Sequence, residues 1–94
     1  MNSLSLDGEL VQREEIRYTP AGLQVFEGLL HHMGEVREAG GTRRIDFECT
    51  VVAFGKTAER LQGLELPAAV SLTGYIAPRS RRTWRLIVCI TDFN

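Results

Sequence analysis

Ninety-four residues and 10.5 kDa leave room for one hydrophobic core, because a chain of this size buries only about 60 to 65% of the surface it exposes when unfolded. A single domain over residues 1–94 is expected. A hydrophobic share of 44%, a charged share of 24% and a net charge of -1 exclude a disordered chain, a collagen-like repeat and a coiled coil, and no apolar run nears the ~18 residues of a membrane-crossing helix. Met1–Asp7 has neither a basic region nor a long apolar one, so no secretory signal is read there and the cytoplasm is the expected compartment, with no membrane partner. Cys49 and Cys89 form no CxxC and are expected as reduced, buried thiols.

In chain order, Leu4, Leu6 and Leu10 share one parity, with Gly8 between them, against Ser3, Ser5, Asp7 and Glu9 on the other. Period two marks a strand with one wet face, and Gly8 in the inward row marks a bend or bulge. The polar stretch Gln12–Tyr18 leads to Thr19-Pro20-Ala21-Gly22, where proline presets φ and glycine tolerates a positive one, so the chain reverses. From Leu23 to Met33 the apolar residues Leu23, Val25, Phe26, Leu29 and Leu30 keep no single parity and also fit a helix. The flanking turn and Gly28 favour a second strand. Gly34–Thr42, charged and ending Gly40-Gly41, reads as a flexible connection.

Alternation then returns, with Ile45, Phe47, Cys49, Val51 and Ala53 inward and Arg44, Asp46, Glu48 and Thr50 outward, up to Gly55. Lys56–Leu61 favours a short helix, Leu66-Pro67 breaks the chain, and Val70, Leu72, Gly74 and Ile76 give a fourth strand. Trp84, Leu86, Val88 and Ile90 give a fifth. Five strands with at most a short helix between the third and fourth is the order of an all-β OB-fold, a five-stranded Greek-key barrel.

Charge is unevenly placed along this order. Four of the 11 basic residues fall in Arg79–Arg85, which holds no acid, so 7 basic face 12 acidic residues elsewhere, a balance of -5. Such a cluster localises binding of a phosphate-bearing or acidic partner; a solvated hairpin tip is the plain alternative. No constellation for catalysis is found. His31 and His32 are adjacent and so face opposite ways on a strand, Glu14-Glu15 has nothing to desolvate it, and no phosphate loop, GxSxG or HExxH occurs. The chain is therefore read as a binding protein without enzyme activity, cofactor or metal.

An OB-fold binds oligonucleotides through the loops between strands 1 and 2 and strands 4 and 5 and the face between them. The first loop offers Arg13, Arg17 and Tyr18, and the second offers Arg79, Arg81, Arg82 and Arg85 beside Trp84. Arginine pairs with phosphate and stacks on bases, and aromatic rings are sequence-tolerant platforms for single strands. Arg44 on the third strand and Tyr75, off the inward row of the fourth, complete the candidate set. The parity of Trp84 favours a core position over a stacking platform.

The order Leu4-Ser5-Leu6-Asp7-Gly8-Glu9-Leu10, then Arg17-Tyr18-Thr19-Pro20-Ala21-Gly22, the third strand ending at Gly55, Gly74-Tyr75-Ile76-Ala77 and the Ser80-Arg81-Arg82 loop resembles the family of primosomal replication protein N, also called primosomal protein B. These are short relatives of bacterial single-stranded DNA-binding proteins. The resemblance spans nearly the whole chain. It implies a homodimeric OB-fold that binds single-stranded DNA without sequence preference within the replication restart primosome, bridges it to the restart helicase, primosomal protein A, and in some bacteria meets a helicase-loader partner. It also implies DNA contacts at Arg17 and at Arg79, Arg81, Arg82 and Arg85. Asp46 departs from the family pattern, standing outward where some members carry a stacking aromatic, with Phe47 inward beside it. Gly28 replaces what is often a large apolar residue. An adaptor acting mainly through protein contacts, its arginine loop docking an acidic surface, is the competing reading. A homodimer also follows from the apolar strand Leu4–Val11, an edge that pairing across a two-fold axis would cover.

Overall fold

The computed structural model describes residues 1–94. The alternating opening segment forms β1 (Leu4–Arg13), with Leu10 fully buried at its centre. After a short gap comes β2 (Arg17–Tyr18), and the predicted reversal follows, where the Gly22 N–H donates to the Thr19 carbonyl and the Leu23 N–H to Thr19 Oγ1. Two long strands, β3 (Gln24–Glu38) and β4 (Gly41–Phe54), then form one antiparallel hairpin, paired residue for residue from Val25–Phe54 to Glu38–Gly41. Helix α1 (Gly55–Gln62) follows, then β5 (Ala68–Pro78) and β6 (Leu86–Phe93).

Adjacent strands run β1-β5-β6-β4-β3-β2, and a further β1–β3 pairing closes the sheet into a barrel. Closure through β4 and β6 is parallel and short, Val51 opposite Val88 and Val52 opposite Cys89. The core is Leu10, Phe26, Leu30, Val51, Ala53, Val70, Leu72, Val88 and Ile90 from the strands, with Ala58 and Leu61 from the inner face of α1. The helix therefore plugs one end of the barrel, as the spacing of Ala58 and Leu61 predicts. No helix is long and apolar enough to cross a membrane.

Four expectations are corrected. The strands number six because β2 adds a two-residue piece; the helix follows the fourth by count but stands in the predicted place, after Gly55 and before Pro67. Gly34–Thr42 is no flexible connection. It is the outer half of the β3–β4 hairpin, closed by a two-residue turn in which Ala39 (φ 51°) and Gly40 (φ 77°) both lie in the left-handed region, the conformation of a type I′ turn. The ladder holds this part, not burial, so its side chains carry no apolar row for the sequence to display.

Gly8 is not the bulge. The extra residue is Val11, between the Leu10–Leu30 and Gln12–Leu29 pairs. Gly8 marks a close crossing instead, since a Cβ there would run into the His31 carbonyl oxygen. Gly28 is a similar crossing, its missing Cβ 2.7 Å from the Gln12 carbonyl oxygen and packed on the Phe26 ring. Finally, β1 is not bare along an edge: β5 pairs with it from Leu4 to Leu10 and β3 from Glu9 to Arg13, leaving Leu4–Gly8 open on the β3 side and Val11–Arg13 open on the β5 side.

Both thiols are free, Cys89 buried and Cys49 half-buried, with burial pushing the Cys49 thiol above its ordinary pKa.

Candidate nucleic-acid interface

Strand pairing brings Arg17 opposite Val25 and Tyr18 opposite Gln24, so β2 lies along the outer edge of β3. The loop between β5 and β6 returns to the same edge. Its ends are tied by the Arg79 N–H donating to the Arg85 carbonyl, 2.8 Å, and inside it the Arg82 N–H donates to Ser80 Oγ and the Arg85 N–H to Thr83 Oγ1. Serine and threonine hydroxyls thus satisfy loop amides, as they do in turns generally. The result is a shaped loop holding Arg81, Arg82 and Arg85 exposed and without carboxylate partners.

The two loops meet over one residue that the sequence reading did not single out. Glu27, on the outer row of β3 between Val25 and Leu29, has a side chain only 11% exposed. Arg17 Nη2 donates to its Oε1 at 2.8 Å, while Arg79 grips it with two nitrogens, Nη1 to Oε2 at 2.8 Å and Nη2 to Oε1 at 3.2 Å. The Arg79 hydrogen bond is the main cause holding the Glu27 carboxyl below its ordinary pKa, opposed by burial and aided by Arg17. The same contact raises Arg79. The available signal was a lone carboxylate in the apolar run Leu23–Leu30, with basic loops before and far after it.

Beside this cluster is an open groove of about 310 Å³ lined by Tyr18, Val25, Val52, Phe54 and Ile87 together with the two arginines. Tyr18 is 62% exposed at its rim. Of the predicted site residues, the fold brings Arg17, Tyr18 and Arg79 together here, with Arg81, Arg82 and Arg85 on the adjoining loop. Arg13 turns away to donate to the Leu64 carbonyl at the end of α1. Arg44 stands opposite Glu35 near the hairpin tip, eight residues along β4 from Val52 and so roughly 26 Å from the groove at ~3.3 Å per residue. Tyr75, partly exposed on β5 opposite Cys89, is not part of the Glu27 cluster.

Two aromatic residues differ from expectation. Trp84 is not a core residue: the β5–β6 ladder starts at Pro78–Leu86, so Trp84 stays in the loop and is 93% exposed. Phe47 is not inward-packed either. The β3–β4 hairpin continues past its last pairing with β1 at His31, and there Phe47 is 39% exposed, tilted against the His32 ring at 5.3 Å between centroids. A strand that carries Asp46 outward therefore still offers an accessible ring. As adjacency requires, the two histidines diverge, His31 Nε2 hydrogen-bonding Asp46 Oδ1 at 2.7 Å and His32 Nδ1 the Asp7 carbonyl.

Residues 2–92 match the family described as another single-strand binding protein family. The replication restart protein PriB of Nitrosomonas europaea is 35% identical over 91 residues, covering 97% of this chain and 84% of that one. The solved structure of PriB from Ralstonia solanacearum superposes with a TM-score of 0.91 at 31% identity, over 100% of this chain and 96% of that one. Single-stranded DNA binding protein from Thermus aquaticus shares the fold, with a TM-score of 0.77 at 23% identity over 100% of this chain and 49% of that one. With its sequence matched nearly end to end and its fold superposing throughout, the chain belongs to this single-strand binding protein family, in the PriB group of replication restart proteins.

Proposed function

We propose that the chain binds single-stranded DNA without sequence preference in replication restart and bridges that DNA to the restart helicase, as a homodimer. The observation that carries the reading is the β5–β6 loop, which projects three uncompensated arginines and a solvent-facing Trp84 from a body that is otherwise acidic. Guanidinium groups address phosphates and an indole addresses the π face of any base, features every nucleotide shares, so binding through them discriminates little between sequences. The names of the relatives support the same role. Arg81, Arg82, Arg85, Trp84 and Tyr18 form the proposed contact set, with Arg17 and Arg79 behind them. Contact with the helicase, and with a helicase loader where one is used, belongs to the same proposal and is tested by titrating the purified helicase against the protein bound to DNA.

Fluorescence anisotropy of a labelled oligothymidine over a salt series tests the DNA reading. Each phosphate contact adds about -0.7 to the log-log salt slope on a single strand, so replacing Arg81 and Arg82 together by alanine should flatten the slope by roughly 1.4. Exposed charges contribute little to folding, so the melting temperature should hold. Parental affinity and slope in that variant would remove the loop from the DNA site. The adaptor reading is favoured by one feature, the outer row of the hairpin where Glu35, Asp46 and Glu48 are exposed and acidic; binding seen only at very low salt would move it ahead.

The homodimer rests on the open flank of β1 at Leu4–Leu6, before the Asp7 carbonyl that His32 Nδ1 hydrogen-bonds, where a second copy could pair with the strand across a two-fold axis. Sedimentation equilibrium at micromolar concentration should give twice the chain mass of 10.5 kDa. A folded monomer alone would reject it.

A further inference from the structure

The Glu27 cluster is more than a structural ion pair in its arrangement. The carboxylate is nearly hidden, whereas the guanidinium side chains above it are 51% exposed at Arg17 and 44% at Arg79. Two cations, Arg17 from β2 and Arg79 from the start of the β5–β6 loop, are thus held over one anion beneath them, and Arg79 uses on it the paired N–H fork that suits a carboxylate or a phosphate equally. Arg17 gives one N–H and Arg79 two, out of five on each guanidinium. The remaining donors stay available, but the cluster's net charge is +1 rather than +2.

From this geometry we infer that Glu27 sets the affinity of the interface, occupying the place of a phosphate between Arg17 and Arg79 and withholding one positive charge from the bound strand. The inference rests on the nucleic-acid reading above. It makes Glu27 a positioning residue: it draws the β2 segment and the β5–β6 loop together across the edge of β3 while limiting how strongly they attract DNA. Competition by an internal anion acts on the salt-dependent part of binding, because that part counts net neutralised phosphates. It leaves base stacking on Trp84 and Tyr18 untouched.

The test is the salt slope of oligothymidine binding in E27Q, which keeps the side-chain shape and removes the charge. The cluster then carries +2, one more phosphate is neutralised, and the slope should steepen by about 0.7 with tighter binding at low salt. Adding R79A to E27Q returns the net charge to +1 and should restore the parental slope. A purely architectural Glu27 gives the opposite result, since loosened loops would weaken binding in E27Q with the slope unchanged or flatter, and that outcome overturns the inference. Should E27Q not fold, Glu27→Met fills the same space without charge and carries the same expectation; failure of both to fold would assign Glu27 to stability alone and also overturn it. The R81A/R82A variant separates this from the parent reading. If that pair flattens the slope and E27Q does not steepen it, the inference falls and the DNA reading stands; if neither variant nor the parental protein binds, the DNA reading itself has failed.

Discussion

Trp84 shows how one side chain can satisfy two patterns. It shares parity with Leu86, Val88 and Ile90, which is the mark of an inward row, and it also sits among Arg81, Arg82 and Arg85, which is the mark of a nucleic-acid loop. Parity is informative only where a ladder imposes it. Here the ladder with β5 begins two residues later, at Leu86, and even Leu86 is exposed before the row turns inward at Val88. For an exposed ring the two energetic consequences separate cleanly. Trp84→Ala should leave stability within about 0.5 kcal/mol, as surface substitutions do, and weaken oligothymidine binding by about 1 to 3 kcal/mol, the value of a base stacked on an aromatic. Thermal melts and anisotropy on the same variant check both, and a loss of several kcal/mol in stability with unchanged binding would return Trp84 to the core. Phe47 was obscured by the same reasoning, because its parity with Val51 and Ala53 holds while the barrel that would cover it has already ended. Glu27 was obscured for another reason: its partners are 10 and 52 residues away, and nothing in local pattern encodes a pairing that barrel closure creates.

Strands with one buried face were legible, since alternation at Leu4–Leu10, Cys49–Ala53 and Val70–Gly74 follows directly from the pleat, and so was α1 from the spacing of Ala58 and Leu61. The hairpin's outer half was not. Residues 34–42 are solvated on both faces over nearly their whole length, so no periodic apolar row marks them, and the Gly40-Gly41 pair looked like slack rather than a turn. What makes the segment a strand is the register fixed at its tip. Ala39 adopts φ 51° there, a left-handed conformation that costs an L-residue with a Cβ roughly 1 kcal/mol or more, whereas asparagine tolerates it and Asn-Gly is a favoured type I′ pair. Ala39→Asn should therefore stabilise the hairpin by about 0.5 to 1 kcal/mol, a part of that cost. The gain should appear as slower amide exchange at Val36, Arg37 and Thr42, and unchanged or faster exchange would mean the turn is not of this type in solution.

Across the whole molecule, the same few charges organise both the loops and the surface field. The polarity was visible in the sequence, with the arginine cluster set against a body of balance -5, but not the tie that draws part of that cluster inward. Through Glu27, β2, β3 and the β5–β6 loop become one unit, and α1 has its own clasp, where Arg60 reaches Asp92 Oδ1 and the Phe93 carbonyl at 3.1 Å each and lies 4.3 Å over the Phe93 ring. Both clasps depend on an ionised carboxylate. Glu27 is held below its ordinary value of 4.5, first by the Arg79 hydrogen bond, and Asp92 below 3.8, first by the Phe93 backbone N–H and then by Arg60. A carboxyl whose pKa is lower in the folded than in the unfolded state binds fewer protons when folded, so its stabilisation is complete above the unfolded value and drains away as pH falls through the folded one. Melting temperature should accordingly be flat near neutrality and decline as pH drops below about 4.5. In E27Q the neutral-pH melting temperature should be lower and the acid decline shallower, because an amide does not titrate and the group responsible for the less exposed share of the linkage is gone. Melts of the two proteins from pH 7 to pH 3 decide it, and parallel acid declines would show that the arginine clasp over Glu27 contributes no linkage to folding.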